Sequence, residues 1–143
     1  MRLTSFTDYG LRMLMRMASA PESAFSTADL AEEFGLSRHH LMKIMQRLSR
    51  AGVVETRRGG GGGAVLTRPP EEISLGAVVR ILEEGQPLVE CMGKGGNCNI
   101  HGQCRLKTRL RAAEEAFLLH LDQTSLADIA LSKNLRLHSR MPT

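Results

Sequence analysis

The sequence contains very few aromatic residues. Its 143 residues include no tryptophan, one tyrosine and four phenylalanines, whereas methionine occurs eight times. Large planar side chains therefore cannot fill the interior, and the core must consist of aliphatic and methionine side chains. A chain of this length suits one domain, or two small domains that share a core. Because most of the chain shows helical periodicity, we expect a mainly α-helical protein.

Long hydrophobic segments are also missing from the sequence. No apolar run approaches the roughly 20 residues that a membrane-spanning helix needs. The first residues, Met-Arg-Leu-Thr-Ser-Phe-Thr-Asp, lack the hydrophobic region of a signal peptide. We therefore expect a cytoplasmic protein with no membrane partner, in a compartment where thiols stay reduced.

Neither sign of charge dominates the chain. The net charge of +4 permits a polyanionic partner but does not demand one. The glutamate pairs at 71–72, 83–84 and 114–115 are adjacent in sequence, which is typical of solvated surface rather than of catalytic carboxylates. No pair of residues in the sequence stands out as a nucleophile with its base. The sequence therefore predicts a binding protein and not an enzyme.

Cysteine is scarce, yet its three copies are concentrated in one short stretch. Cys91, Cys98 and Cys104 lie in Cys-Met-Gly-Lys-Gly-Gly-Asn-Cys-Asn-Ile-His-Gly-Gln-Cys, whose four glycines and two asparagines indicate a loop. An odd number of thiols cannot all be paired in internal disulfides. Thiolates gathered on a glycine-rich loop suit a soft metal centre. The stretch therefore predicts a site for zinc or for an iron–sulfur cluster.

Two alternatives compete with a cluster at this loop. Zinc would use His101 as a fourth ligand beside the three cysteines. However, the usual close Cys-x-x-Cys pairs are missing, and the wider spacing suits a bulkier cluster better. Cys104 also opens a helical pattern with Arg105 and Lys107 close by, and both features stabilise an anionic thiolate. The other alternative, three unrelated surface cysteines, is disfavoured because the residues cluster.

The N-terminal segment predicts a helix over residues 7–19. Its apolar side chains recur at helical spacing and would form one face: Leu11, Leu14, Met15 and Ala18. Thr7 or Asp8 is the expected N-cap, and Asp8 would also interact favourably with the helix dipole.

The next segment predicts a helix-turn-helix motif. Ser26 or Thr27 would cap a helix through Phe34, and Gly35 would form the turn. Ser37 would then cap a second helix that runs to Arg50. Apolar residues of the two helices would face each other: Leu30, Ala31 and Phe34 against Leu41, Ile44, Met45 and Leu48. Capping, turn and periodicity agree on this motif.

The polar face of the second helix is strongly basic. It carries Arg38, His39, His40, Lys43, Arg47 and Arg50. Although a charged face is usually only solvated, these charges are nearly all positive and begin at the N-terminus of the helix. That is where a recognition helix meets bases and phosphates. We therefore predict contact with double-stranded DNA.

Two short β-prone runs flank five consecutive glycines at residues 59–63. A glycine string alone is typical of a linker, but strands directly after a helix-turn-helix predict the wing of a winged helix. Arg57 and Arg58 would lie near its tip, and a bare glycine such as Gly60 would allow close approach to the DNA backbone.

The second half of the chain predicts three further helices. One begins at Ser74 and ends at Gly85, and a long amphipathic one runs from Cys104 to about Leu121. A short helix capped by Thr124 or Ser125 would continue to Leu131. We expect a winged helix-turn-helix domain over 1–70, a cluster-binding and dimerisation region over 71–131, and a tail over 132–143 that is disordered.

Taken together, these segments resemble the Rrf-type family of winged-helix regulators, most closely its nitric-oxide-sensing repressors. The resemblance covers residues 1 to about 131. It includes the opening Met-Arg-Leu-Thr-Ser-Phe-Thr-Asp-Tyr-Gly-Leu-Arg, the second helix from Ser37 to Gly52, the Arg57-Arg58 wing and the three cysteines.

The resemblance implies a homodimer that carries one iron–sulfur cluster per subunit, with a four-iron cluster favoured and a two-iron cluster the alternative. Cluster-biogenesis relatives use a histidine three residues after the last cysteine as fourth ligand, but here that position is Lys107. In nitric-oxide sensors an N-terminal aspartate of the other subunit takes this role, and Asp8 stands at that place.

The implied function is a repressor that binds a two-fold symmetric operator and releases it when nitric oxide nitrosylates the cluster. The alternative within gene regulation is a sensor of iron or cluster supply. The alternative from another class is a zinc- or cluster-binding interaction protein that uses its helix-turn-helix for protein contacts. Salt-dependent, sequence-specific duplex binding would separate these classes.

Overall fold

The computed structural model describes residues 2–59, 62–94, 99–100 and 103–133. Over these residues the fold is mainly helical with one β-hairpin, which confirms the predicted fold class. The helices are α1 (Ser5–Ala18), α2 (Thr27–Phe34), α3 (Arg38–Arg50), α4 (Leu75–Leu82) and α5 (Arg105–Leu121), and the strands are β1 (Val54–Arg57) and β2 (Gly63–Leu66). No helix in this part of the chain is long and apolar enough to cross a membrane.

Helix α1 begins two residues earlier than predicted, and its cap is Thr4. The Thr4 hydroxyl accepts a hydrogen bond from the backbone N–H of Thr7 at 3.2 Å. The prediction of Thr7 or Asp8 as the cap is therefore wrong. The threonine-rich start of the chain offers several side chains that could cap locally. Thr7 is fully buried in the structure, so tertiary packing selects the earlier residue.

The helix-turn-helix prediction is confirmed in detail. Ser26 accepts from the N–H of Asp29 at 2.9 Å, and Ser37 accepts from the N–H of His40 at 3.4 Å. Between the two helices Gly35 has φ +63°, a left-handed conformation that an L side chain rarely adopts. Six of the seven predicted inner residues of α2 and α3 are buried: Leu30, Ala31, Leu41, Ile44, Met45 and Leu48. The seventh, Phe34, is half-buried and packs against the edge of the core.

One hydrophobic core joins the two predicted regions of the chain. Val78 and Leu82 of α4 and Leu126 near the C-terminus are buried in the same cluster as residues of α1 and α3. Helix α1 can pack tightly here because residue 10 is glycine. A Cβ at this position would lie 2.8 Å from Leu82 Cδ1 and 3.1 Å from Ile44 Cγ2. The core thus continues past residue 70, where the predicted DNA-binding region ends.

The predicted wing is an antiparallel hairpin. Val54 pairs with Leu66, and Arg57 pairs with Gly63 at the tip end of the ladder. Phe25, in the connection between α1 and α2, adds a third short segment to this sheet. Its backbone N–H donates to the Ala64 carbonyl at 2.9 Å, and its carbonyl accepts from the Ala64 N–H at 2.8 Å.

The predicted helix over 124–131 is wrong, because this segment forms only one 3₁₀ turn, Ala127–Ile129. Ser125 does make the expected capping bond, because its hydroxyl accepts from the N–H of Asp128 at 3.3 Å. The Asp128 carboxylate in turn accepts from the N–H of Ser125 at 2.8 Å. However, the N–H of Leu126 donates to Ile73 at 2.9 Å and that of Leu131 donates to Met15 at 3.1 Å. Backbone bonds to other parts of the chain therefore replace helical ones. Residues 134–143 of the predicted tail lie outside the described residues.

Helix α5 is attached to α4 by a close contact and an ion pair. A Cβ on Gly76 would lie 2.8 Å from the Leu118 carbonyl oxygen, so the glycine allows the two backbones to approach. Beside it, Arg80 donates to both carboxylate oxygens of Asp122, at 2.6 and 3.0 Å. The hydrogen bond from Arg80, helped by one from Ser74, holds the pKa of Asp122 below its ordinary value.

This ion pair predicts a pH-dependent contribution to stability. Because the folded-state pKa of Asp122 is depressed, its contribution is present above pH about 4 and is lost as pH falls through the folded pKa. We expect Asp122→Asn to lower the melting temperature at neutral pH and to converge with the wild type toward pH about 2. Glu84→Gln, which removes one exposed negative charge, is the control. A melting-temperature difference independent of pH would contradict the prediction.

Candidate functional site

The two described cysteines lie at the ends of the segment between α4 and α5. Cys91 belongs to a single 3₁₀ turn, Glu90–Met92, so this end of the predicted loop has some regular structure. Cys104 is the N-cap residue of α5, as its place before the helical pattern predicted, and its side chain makes no capping hydrogen bond. Both thiols are free and half-buried. Cys98 and His101 lie outside the described residues.

The donor chemistry of this segment fits an iron–sulfur cluster or zinc. Two free thiols remain accessible, and Cys104 opens onto a surface cavity lined by Gln103, Arg105, Thr108 and Arg109. Positive side chains and the N-terminus of α5 surround this sulfur, which favours an anionic centre. Within the part of the chain that the structure describes, no three metal-ligating side chains lie together. The complete ligand set therefore stays a prediction.

Asp8 is a surface residue of α1 with a partner in its own helix. Arg12 donates to both of its carboxylate oxygens, at 3.1 and 2.8 Å. The Asp8 side chain is 49% exposed, and such exposed pairs contribute only about 0–1 kcal/mol. Arg12 therefore holds the carboxylate only weakly, and the carboxylate remains accessible at the surface. None of its described hydrogen bonds joins it to Cys91 or Cys104.

The structure divides the predicted basic face of α3 into two groups. Arg38, His39 and Lys43 are exposed to solvent. In contrast, His40 packs edge-on against Tyr9, with ring centroids 5.3 Å apart. The predicted DNA-contacting set is therefore not one continuous surface.

Arg47 is the second member of the inward-facing group. Its guanidinium carbon lies 4.5 Å from the centroid of the Phe6 ring, and its NH1 group donates to the Leu82 carbonyl at 3.3 Å. These contacts join α3 to the start of α1 and the end of α4. A charge selected from sequence as a DNA contact thus has a tertiary role in the subunit.

The wing presents the two predicted arginines to solvent. Arg57 and Arg58 are both exposed, and Arg57 lies 4.0 Å from the equally exposed Glu55. Gly59 has φ +110°, so the chain turns there in a conformation that suits glycine. Gly60, proposed for close approach to the DNA backbone, lies outside the described residues.

Sequence reasoning missed the role of Glu83, which was assigned to solvated surface. Its carboxylate accepts hydrogen bonds from the backbone N–H of Thr4 at 2.6 Å and from the Thr4 hydroxyl at 3.0 Å. The residue that caps α1 is thereby tied to the end of α4, a few residues before Cys91. The contact spans 79 positions in sequence, so no local pattern could have indicated it.

Comparisons with known proteins agree with this architecture. Residues 3–132 match the model of the Rrf2 family, described as iron-dependent transcriptional regulators. The chain therefore belongs to the Rrf2 family of winged-helix, DNA-binding transcriptional regulators, whose members are not enzymes.

Solved structures of regulators with different names are similar to this chain. The oxidized form of Staphylococcus aureus CymR has 28% identity and a TM-score of 0.68, covering 91% of this chain and 96% of its own. T. potens IscR has 25% identity and a TM-score of 0.70, covering 90% and 85%. CymR of B. subtilis, described as its global cysteine regulator, has 28% identity and a TM-score of 0.66, covering 91% and 96%.

Because Arg47 contacts other parts of the subunit and Arg38 is exposed, we predict that replacing them has different effects on stability and on duplex binding. Arg47→Ala should lower the free energy of unfolding by about 1–2 kcal/mol, because it removes the ring contact and a charge-assisted hydrogen bond. Arg38→Ala should change stability by less than about 0.5 kcal/mol but weaken duplex binding by about 1–3 kcal/mol. Urea denaturation and duplex titrations at two salt concentrations measure both. An Arg47→Ala variant of normal stability that binds duplex as weakly as Arg38→Ala would place Arg47 on the DNA surface.

Proposed function

We propose that this protein is a dimeric repressor of the NsrR type, which binds an iron–sulfur cluster and leaves its operator in response to nitric oxide. The observation that carries the proposal is that all three cysteines lie between α4 and α5 of an Rrf2-family regulator. Genes for nitric oxide detoxification or nitrogen-oxide metabolism would be its targets.

The chain's own residues supply most of the proposed ligand set. Cys91, Cys98 and Cys104 give three thiolates, which suit a four-iron cluster better than zinc at this spacing. Residue 107 is lysine and supplies no ligand. The resemblance to the nitric-oxide sensors makes Asp8 of the second subunit the proposed fourth donor. The cluster, when bound, supplies iron that reacts with nitric oxide. A carboxylate is a harder and weaker ligand for such iron than a thiolate, so Asp8 would hold the cluster less firmly than the three cysteines.

The exposure of α5 supports a homodimer. None of its side chains is buried within the subunit, and Leu106 and Leu119 are 62% and 53% exposed. A helix of 17 residues with such an apolar surface is suited to packing on its counterpart in a second copy. Two recognition helices related by a two-fold axis then require operator half-sites about 10 bp apart, or a multiple of that spacing.

Contacts at the end of α4 support a link between the cysteine segment and the DNA-binding face. Leu82 accepts from Arg47 of α3, and Glu83 accepts from Thr4 at the start of α1. Cys91 follows shortly after in the chain. A change in how the cysteine segment is held would therefore reach both α1 and the recognition helix through these bonds.

The test of this function is anaerobic purification with a visible spectrum and iron and sulfide counts, followed by duplex titration before and after nitric oxide. A cluster-containing protein that binds a symmetric duplex and releases it after nitric oxide supports the proposal. If loss of iron, but not nitric oxide, releases the duplex, a sensor of iron or cluster supply is the better assignment, in keeping with the description of the family as iron-dependent. Zinc without duplex binding would indicate the interaction protein.

We expect Cys91→Ser, Cys98→Ser and Cys104→Ser each to lose stable cluster binding, because three thiolates leave no spare soft ligand. Iron and sulfide contents after anaerobic purification measure this. Asn99→Ala lies in the same segment and keeps all three thiols, so it serves as the matched control. Full iron and sulfide content in any of the three serine variants would remove that cysteine from the ligand set.

Asp8→Ala should retain a cluster on the three cysteines but with a shifted visible spectrum and weaker duplex binding. The matched control is Arg12→Ala, which breaks the same ion pair and leaves the carboxylate in place. Both variants lose the small stability of an exposed pair, about 0.5 kcal/mol, so a stability change alone does not separate them. An unaltered spectrum with a normal nitric oxide response in Asp8→Ala would show that Asp8 is not a ligand.

A further inference from the structure

The solvent-exposed side of α3 contains two uncharged residues, Met42 and Gln46, among its charged ones. Two sides of this helix are occupied within the subunit, by the buried Leu41–Leu48 face and by the contacts of His40 and Arg47. The remaining side is exposed to solvent and carries Arg38, His39, Met42, Lys43, Gln46 and Arg50. Its centre is therefore not purely basic, because an apolar and an amide side chain lie among the charges.

Met42 and Gln46 are one helical turn apart and line the same groove. This groove runs between α3 and the first strand of the wing, with Thr27, Ser49 and Thr56 among its other lining residues. Met42 is 44% exposed although it is large and apolar. A single exposed methionine is ordinary on a protein surface. However, Met42 lies beside Lys43 on the face proposed to meet DNA, so a base of the duplex can contact it.

We propose that Met42 and Gln46 determine sequence specificity by reading A·T pairs in the major groove, an inference that rests on the proposed DNA-binding function. Thymine presents a C5 methyl group in this groove, which an apolar side chain can contact, and adenine presents N7 and N6, which glutamine can bind in a bidentate manner. Lys43 and Arg50 on the same face provide the positive charge that positions the helix on phosphates.

The spacing of the two residues suits neighbouring base pairs. Four residues of α-helix rise about 6 Å, and successive base pairs are stacked about 3.4 Å apart. A helix lying along the groove would therefore place Met42 and Gln46 one or two base pairs from each other.

Duplexes that lack one thymine methyl group or one adenine N7 atom test this inference. Duplexes that bind the anaerobically purified protein would first be selected from a random pool. Each thymine of a selected duplex would then be replaced in turn with deoxyuridine, which removes only the methyl group. One position per half-site should weaken wild-type binding about fourfold, the effect of one buried methyl. The same replacement should have no effect on Met42→Ala. For Gln46→Ala, 7-deazaadenine scanning should likewise lose its effect at one neighbouring position.

The control variant is Ser49→Ala, which changes the same groove without removing either proposed reading group. A methyl effect that persists in Met42→Ala, or no methyl effect in the wild type, overturns the assignment while leaving the repressor function intact. Failure of the wild type to select any duplex contradicts the proposed function itself. If Met42→Ala binds every duplex more weakly than the wild type by the same factor, whichever thymine is replaced, Met42 only supports the helix and reads no base.

Discussion

At the end of α4, helices α1 and α3 are bonded to the stretch of chain that leads to the cysteine segment. Leu82 packs its side chain against Gly10 of α1 and offers its backbone carbonyl to Arg47 of α3. The next residue, Glu83, binds the cap of α1 through Thr4. Two consecutive residues therefore make three kinds of contact: close apolar packing on a glycine, a hydrogen bond from a guanidinium group, and a carboxylate contact. Together with the shared core around Val78, this junction fixes α4 relative to the recognition helix.

The parts of the fold that could be predicted from sequence are those determined by local interactions. Ser26, Ser37 and Ser74 each accept from the third N–H that follows, so capping and periodicity were enough to locate α2, α3 and α4. The final segment followed the same local rule at Ser125 and still failed to form a helix. Its backbone bonds to Ile73 and Met15 depend on residues far away in sequence, which no local pattern can indicate.

The candidate site shows the same division between local and long-range information. The clustering of cysteines and the position of Cys104 before α5 are local features, and they were recognised from the sequence. The surface of α3 is different, because a helical wheel tells which side is polar but not which polar residues a neighbouring element covers. Phe6 and Tyr9 of α1 attract Arg47 and His40, since aromatic faces and edges offer these groups favourable contacts. A search for charge therefore could not tell that Arg47 and His40 have partners within the subunit, and it gave no reason to consider the exposed Met42.

The short pairing of Phe25 with the wing has a mechanical consequence. Two hydrogen bonds at Ala64 join the hairpin to the connection that leaves α1. The start of α1 is held by Glu83, while its far end leads directly into this connection. A rotation of α1 would therefore displace the wing together with α2 and α3. The wing and α3, which we propose to face DNA, would then change their angle to the duplex as one body, rather than detaching one after the other.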